Sequence, residues 1–405
     1  MPPRHAGIQT ISRRVRRNRF VAATLVLAVA LVAGTALLGG ARSSNAPTQG
    51  SPRFIPQDAR LRSDWDGDGK PVTFVFAGDV NFQGPSVIAS RLAEDPRTAL
   101  GPGAARLLAH SNLSMVNFES ALTFGGCPIP QPKTYVFFAP PAAITAFEGA
   151  RTTLVTEANN HGEDCGQPGL LQALTIRART RYHIIGIGKN VAGALASYQA
   201  VIRGEHVGII AATQVIDTDL VSTWTATGTQ PGLASAYEVQ ELVRAVSAAR
   251  RIDDTVIVFL HWGIQLDACP DAIQEPLATE LVRAGADIVI GSHAHVLLGA
   301  GYLGRALVDY GLGNFAFYND PFPTDLSGSL AVAATGRHID AYTWRPAIIE
   351  NDLPVPATGA AAAQVQARFA AARACTNLSG RPTTPLASNE TERAALASSS
   401  QGQLP

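Results

Sequence analysis

The 405-residue chain carries 32 basic and 32 acidic side chains, a formal net charge of zero, with 46% hydrophobic and 16% charged residues. This is the balance of a globular protein, and neutrality removes the electrostatic basis for nucleic-acid binding. No nucleic acid is expected as a partner. No GxxxxGK[ST] loop occurs, so any ATP-driven ligation would belong to another protein.

Residues 1–19 hold Arg4, Arg13, Arg14, Arg16, Arg17 and Arg19 and no acidic residue, and read as a basic cytoplasmic region. Residues 20–41 form one uncharged apolar segment. Its length falls between a long signal-peptide core and the roughly 20 residues of a membrane span, so cleaved signal and membrane anchor both remain open. In either case the rest of the chain is expected outside, held at the outer face of the cytoplasmic membrane or secreted. Export permits disulfides among Cys127, Cys165, Cys269 and Cys375, with Cys127 and Cys165 the preferred pair because each follows a site motif.

Residues 42–70 read as a Pro-, Ser- and Asp-rich linker. Asp64, Asp66, Asp68 and Gly69 imitate the start of an EF-hand, but Val75 stands where the closing carboxylate belongs, so a solvated turn is expected instead. From residue 71 apolar runs of strand length alternate with helical periodicity. Strands are predicted at 72–79, 114–120, 152–162, 182–188, 255–263, 286–295 and 305–315, with a hairpin over 201–213 turning near Gly204 and a closing hairpin over 327–349. Helices are predicted from 85–93, 168–179, 237–251 and 273–284. Alternation of this kind implies an α/β domain, placed at residues 71–350. Residues 351–405 are rich in Ala, Pro and Ser and read as a mostly disordered tail with a short helix near 360–374.

The run at 286–296 ends in His293 and His295. On an extended segment residues two apart share a face, so both rings are expected to reach one centre holding Zn, Mn or Fe. Asp79, Glu119, Asn160, His161, His261, His293 and His295 all fall at the carboxyl ends of apolar runs, the edge where α/β proteins bind ligands. Carboxylates, an amide and imidazoles in these proportions suit a pair of divalent ions.

The ordered motifs AGDVNF, VNFES, ANNHGEDCG, FLHWG, IGSHAHV and YGLGNF resemble those of the CapA-type proteins of poly-γ-glutamate capsule biosynthesis, similar in turn to calcineurin-like metallophosphatases. The resemblance implies a metallophosphatase-like fold, a double β-sheet sandwich flanked by helices, carried behind the N-terminal membrane-targeting segment. It implies two divalent ions held by Asp79, Glu119, Asn160, His261, His293 and His295, with His161 acting on the leaving group. Asn81 and Asn314 become candidate contacts to substrate or to the ligands. Asn81 stands where metallophosphatases carry the histidine of Asp-x-His, and Glu119 replaces their bridging aspartate by position.

Two functions follow as expectations. One is an exported metal-dependent hydrolase or transferase acting on an anionic capsule or wall polymer such as poly-γ-glutamate, the ions activating water and His161 moving a proton. The alternative is a non-catalytic binding or export subunit of a membrane-bound polymer synthase, which would add other synthase subunits as partners.

Overall fold

The computed structural model describes residues 67–318 and 321–387. The basic region, the apolar segment at 20–41, most of the linker and the tail beyond 387 lie outside the described residues. Among the described residues no helix is long and apolar enough to cross a membrane. Asp68, at the end of the EF-hand-like stretch, turns back to accept from the Lys70 backbone N–H and pairs with Arg203, as a turn residue does.

The principal strands are β1 (Val72–Val80), β2 (Leu113–Phe118), β3 (Leu154–Thr156), β4 (His183–Ile185), β5 (Tyr198–Ile202), β6 (Glu205–Thr213), β7 (Thr255–Trp262) and β8 (Ile288–His293). They continue with β9 (Ala300–Leu303), β10 (Ala306–Asp309), β11 (Asn314–Ala316), β12 (Leu326–Thr335), β13 (His338–Glu350) and β14 (Leu353–Pro356). The main helices are α1 (Val87–Glu94), α2 (Gly101–Leu107), α3 (Ala142–Gly149), α4 (Gly166–Arg179), α5 (Val239–Arg250), α6 (Gln274–Ala284) and α7 (Gly359–Ala372).

Two mixed sheets result. One runs β14-β13-β12-β1-β2-β3-β4, with β11 pairing beside β1, and the other runs β9-β10-β8-β7-β6-β5. In the first, β1, β2, β3 and β4 are parallel while β12 to β14 close the far edge antiparallel. Strands buried on both faces need apolar residues at successive positions, which is why β1 reads as a continuous run. Phe74 and Phe76 join a core shared with Ile209, Val258 and Val289 of the second sheet and continuing under α5 and α6. Val75 and Ala77, on the opposite face, join a second core under α1 to α4.

Local signals account for the boundaries. Ser86 accepts from the Ala89 N–H and starts α1, and Gly285, at φ 116°, ends α6 in the left-handed conformation. The hairpin predicted over 201–213 is β5–β6, turning through Arg203 and Gly204, both at positive φ.

The stretch read as a disordered tail is folded as far as residue 387. β14 pairs with β13, Phe369 of α7 stacks on Trp344 with ring centres 4.3 Å apart, and Ser379 and Tyr302 exchange backbone hydrogen bonds of 2.8 and 2.9 Å. The short helix expected near 360–374 is α7, and two buried side chains, Val365 and Phe369, dock it; what composition hides is that docking. A disulfide from Cys269 to Cys375 ties this segment to the loop after β7, and the other joins Cys127 to Cys165, the preferred pair. Replacing Cys269 and Cys375 together by serine is expected to lower the unfolding free energy in urea by about 2–5 kcal/mol. An unchanged midpoint would show that the segment is held by packing alone.

Candidate metal site

The parallel strands of both sheets end at one edge, and the candidate residues meet there. Asp79 and Asn117 are paired in register on β1 and β2, His261 lies opposite Ser292 on β7 and β8, and Asn314 stands opposite Asp79 on β11. The sheets are stitched directly at this edge, because the His293 backbone N–H donates to Asp79 Oδ2 at 3.2 Å. Gly78 makes the crossing possible. Asp79 N–H donates to the Gly313 carbonyl at 3.1 Å, and a Cβ on Gly78 would lie 1.7 Å from that oxygen.

Two groups of potential ligands form, Glu119 with His261 and His293, and Asp79 with Glu119 and His295. Glu119 belongs to both. Its two carboxylate oxygens are buried with no hydrogen-bond partner among the described residues, while Nε2 of His161, His261 and His295 lie 3.9, 3.8 and 3.9 Å from Oε1. An unpartnered buried carboxylate is costly unless a cation completes it. In the first group His261 Nε2 is 3.1 Å from His293 Nδ1 and 2.8 Å from Asn160 Oδ1, so two rings and an amide oxygen converge. His261 Nδ1 lies 2.9 Å from Ser292 Oγ and 3.1 Å from Asn117 Nδ2, and these two contacts fix the ring with Nε2 turned toward Asn160 and His293. In the second group Asn314 Oδ1 lies 2.8 Å from His295 Nδ1, and Asp79 Oδ2 lies 3.4 Å from it. The donor set therefore fits divalent ions on both sides of Glu119.

His293 and His295 fall in different ligand groups, joined through Glu119, where the extended-segment reading expects one shared centre. Both have positive φ, 95° and 58°, so the chain turns between them and the alternation rule fails. Their ring centres are 5.9 Å apart, one in each group. Left-handed backbone at two non-glycine residues is the strain that ligand sites characteristically hold.

His161 sits beside the groups. Its Nδ1 is 2.5 Å from Asp164 Oδ2, and its ring stacks on Phe137 with centres 4.0 Å apart. Asp164 also accepts from Lys133 at 2.8 Å and from the Phe137 backbone N–H at 2.7 Å, and Lys133 donates to the Asn160 carbonyl. The Cys127–Cys165 disulfide fastens the Lys133-bearing segment next to Asp164. Asn81 is buried within the protein, its Nδ2 donating to the Glu119 carbonyl at 3.3 Å and its Oδ1 accepting from the Gln83 N–H at 2.6 Å. It supports the backbone of the candidate ligand Glu119.

Residues that the sequence reading passed over complete the frame. Asn117 Nδ2 donates to Asp79 Oδ1 at 2.8 Å, and Asn159 Nδ2 donates to Asn117 Oδ1 at 2.9 Å. A signal for Asn117 existed, as a polar residue inside a buried strand. Asp164 and Lys133 carried no comparable signal, since their partners lie in other segments.

Electrostatics agree with a cation site. Burial, then repulsion from Asp79, pushes the Glu119 carboxyl well up. Burial, reinforced by His295, brings His293 down to about 3, and burial with His293 holds His261 well below the ordinary range. Burial opposes charge on His295 too, but Glu119 and Asp79 outweigh it and carry the ring to about 9. Burial lowers His161 despite Asp164. One buried acid pushed up and two rings pushed down, beside a third ring pushed up, are the clustered shifts that mark a functional site.

Comparison with known proteins agrees with the motifs. The profile of the family described as bacterial capsule synthesis protein PGA_cap matches residues 73–319. The capsule biosynthesis protein CapA of Bacillus anthracis is 30% identical over 177 residues, 43% of this chain and 42% of that protein. The PGA biosynthesis protein CapA of Bacillus subtilis (strain 168) is 30% identical over 177 residues, 43% of this chain and 45% of that protein. The chain thus spans under half the length of these curated relatives. Among solved structures, a 5'-nucleotidase from Candida albicans SC5314 aligns with a TM-score of 0.41 at 12% identity, covering 78% of this chain and 58% of that one.

Proposed function

Because the chain belongs to the bacterial capsule synthesis family whose profile covers residues 73–319, we propose that it is an exported, metallophosphatase-like hydrolase or transferase of a capsule or cell-wall polymer. The observation that carries the reading is Glu119, buried, unpartnered and shared by two ligand groups. Asn160, His261 and His293 would hold one divalent ion and Asp79 and His295 the other, with Glu119 between them. When bound, such ions polarise the bond under attack and make water a nucleophile near neutral pH. Asp164 holds His161 Nδ1 and keeps the ring oriented, so that Nε2 would take a proton from the attacking water and, as the imidazolium, return it to the leaving group. Export is supported by the arginine-rich start, the apolar segment at 20–41 and the pairing of all four cysteines in disulfides. We propose the outer face of the cytoplasmic membrane as its location.

The alternative, a non-catalytic binding or export subunit, draws support from Asn81, whose amide is used inside the protein where an imidazole ligand would stand. Metal content and turnover of bis-p-nitrophenyl phosphate by the purified full-length chain separate the two. His161→Ala is expected to retain manganese and to lose about 10²–10⁴ of turnover. Less than one equivalent of metal in the parent protein would remove the hydrolase reading.

A further inference from the structure

The side chain of Lys133, in the segment between β2 and α3, is only 8% exposed. A lysine that deep needs partners that replace its water. Its ammonium has three. It donates to Asp164 Oδ1 at 2.8 Å and to the Asn160 carbonyl, and it lies 5.1 Å over the ring of buried Trp224, whose face attracts a cation. The two acceptors bracket the functional pair. The Asn160 carbonyl belongs to the peptide group that joins Asn160 to His161, and among the described residues no backbone N–H donates to it, so Lys133 fixes the plane of that peptide. On one side of the peptide Asn160 Oδ1 lies 2.8 Å from His261 Nε2, and on the other His161 Nδ1 lies 2.5 Å from Asp164 Oδ2. The peptide is planar and rigid, so tilting it would move both side chains together.

A short strap delivers the ammonium. Residues 127–133 carry proline at 128, 130 and 132, and each fixes its own φ. The Cys127–Cys165 disulfide pins the start of the strap, and the Ile129 and Gln131 N–H groups donate to the Cys165 and Asp164 carbonyls at 3.3 and 2.9 Å. The strap therefore runs along the segment that follows His161. A side chain at its end has little freedom left to lose when it reaches both acceptors.

We propose that Lys133 is a positioning residue, its ammonium locking the Asn160–His161 peptide and the Asp164 carboxylate into one frame, so that the candidate ligand and the proton-moving ring are set together. The inference rests on the hydrolase reading for its effect on turnover and on the contacts alone for the frame.

Hydrogen–deuterium exchange of the full-length chain with chelator present tests the frame without metal. In Lys133→Ala, peptides spanning residues 157–166 are expected to exchange about tenfold faster than in the parent, while peptides of α7 exchange as in the parent. Propylammonium, which replaces the atoms lost beyond Cβ, should slow the exchange again, and tetramethylammonium, a cation without N–H groups, should not. With manganese, Lys133→Ala should lower kcat for bis-p-nitrophenyl phosphate about 10–100-fold with KM unchanged, and propylammonium should recover kcat. Lys133→Met, which keeps the stem over Trp224, supplies the exchange and kcat readouts if Lys133→Ala does not fold. Unchanged exchange in the variant, kcat unchanged against a parent that turns over, or equal recovery with tetramethylammonium would overturn the proposal. A parent without manganese or turnover would remove the hydrolase reading, and the exchange comparison would still decide for or against the frame.

Discussion

Glu119→Gln is expected to leave the metal-free protein at least as stable as the parent and to remove most of the stabilisation conferred by manganese. Burial already pushes the Glu119 carboxyl well above its ordinary range, which favours the acid form when no metal is present. Glutamine has nearly the shape and charge of that acid. With metal the balance reverses, because an anionic oxygen shared by both groups becomes a neutral amide. A ligand that binds only the folded state adds ~4 kcal/mol at a thousandfold excess over Kd, and two ions add correspondingly more. Urea unfolding with manganese or with chelator should therefore show a wide gap for the parent and a narrow one for the variant. Equal gaps would mean that Glu119 binds no metal. A large loss of stability in chelator would mean that its charge serves an unrecognised internal partner.

Gly78→Ala is expected to be the most destabilising single substitution at the site. The new Cβ would lie 1.7 Å from the Gly313 carbonyl oxygen, and both atoms belong to backbone that cannot swing aside. Relief requires β1 and β11 to separate, which breaks the hydrogen bond from Asp79 N–H to Gly313 and pulls Asp79 away from Asn314. Overpacking of a core typically costs about 1–3 kcal/mol, and backbone against backbone lies at the upper end or beyond. Chemical unfolding of Gly78→Ala beside Gly84→Ala gives the comparison, since no atom of the described residues lies within 4 Å of a Cβ placed at Gly84. Gly84 has φ 86°, so its variant carries backbone strain without a clash. A loss at Gly78 no larger than at Gly84 would contradict the close approach.

These residues also show how much was legible in the sequence. Asp79, Glu119 and His261, at or next to the ends of buried strands, could be read because a continuous apolar run stops at a polar residue and parallel pairing brings such ends together, whereas Asn160 lies four residues past Thr156, in the turn after a strand shorter than the predicted 152–162. The division of labour between His293 and His295 could not be read, since two positive φ angles cancel the alternation on which the one-centre expectation rested. Asp164 and Lys133 were invisible because their role is a contact between loops, fixed by the Cys127–Cys165 disulfide and not by local periodicity. The helix near 360–374 was legible, but its packing on the domain and the order up to residue 387 were not, for a related reason. Its order comes from Phe369 on Trp344 and from Cys375 on Cys269, long-range pairings within an Ala-rich stretch.

The central claim is that Glu119 lies between two ions, one with Asn160, His261 and His293 and the other with Asp79 and His295. Anomalous diffraction from crystals of the manganese-loaded chain tests it most directly. Two peaks are predicted, about 3.5–4 Å apart on either side of the Glu119 carboxylate. A single peak, or none with all three histidines in place, would contradict it.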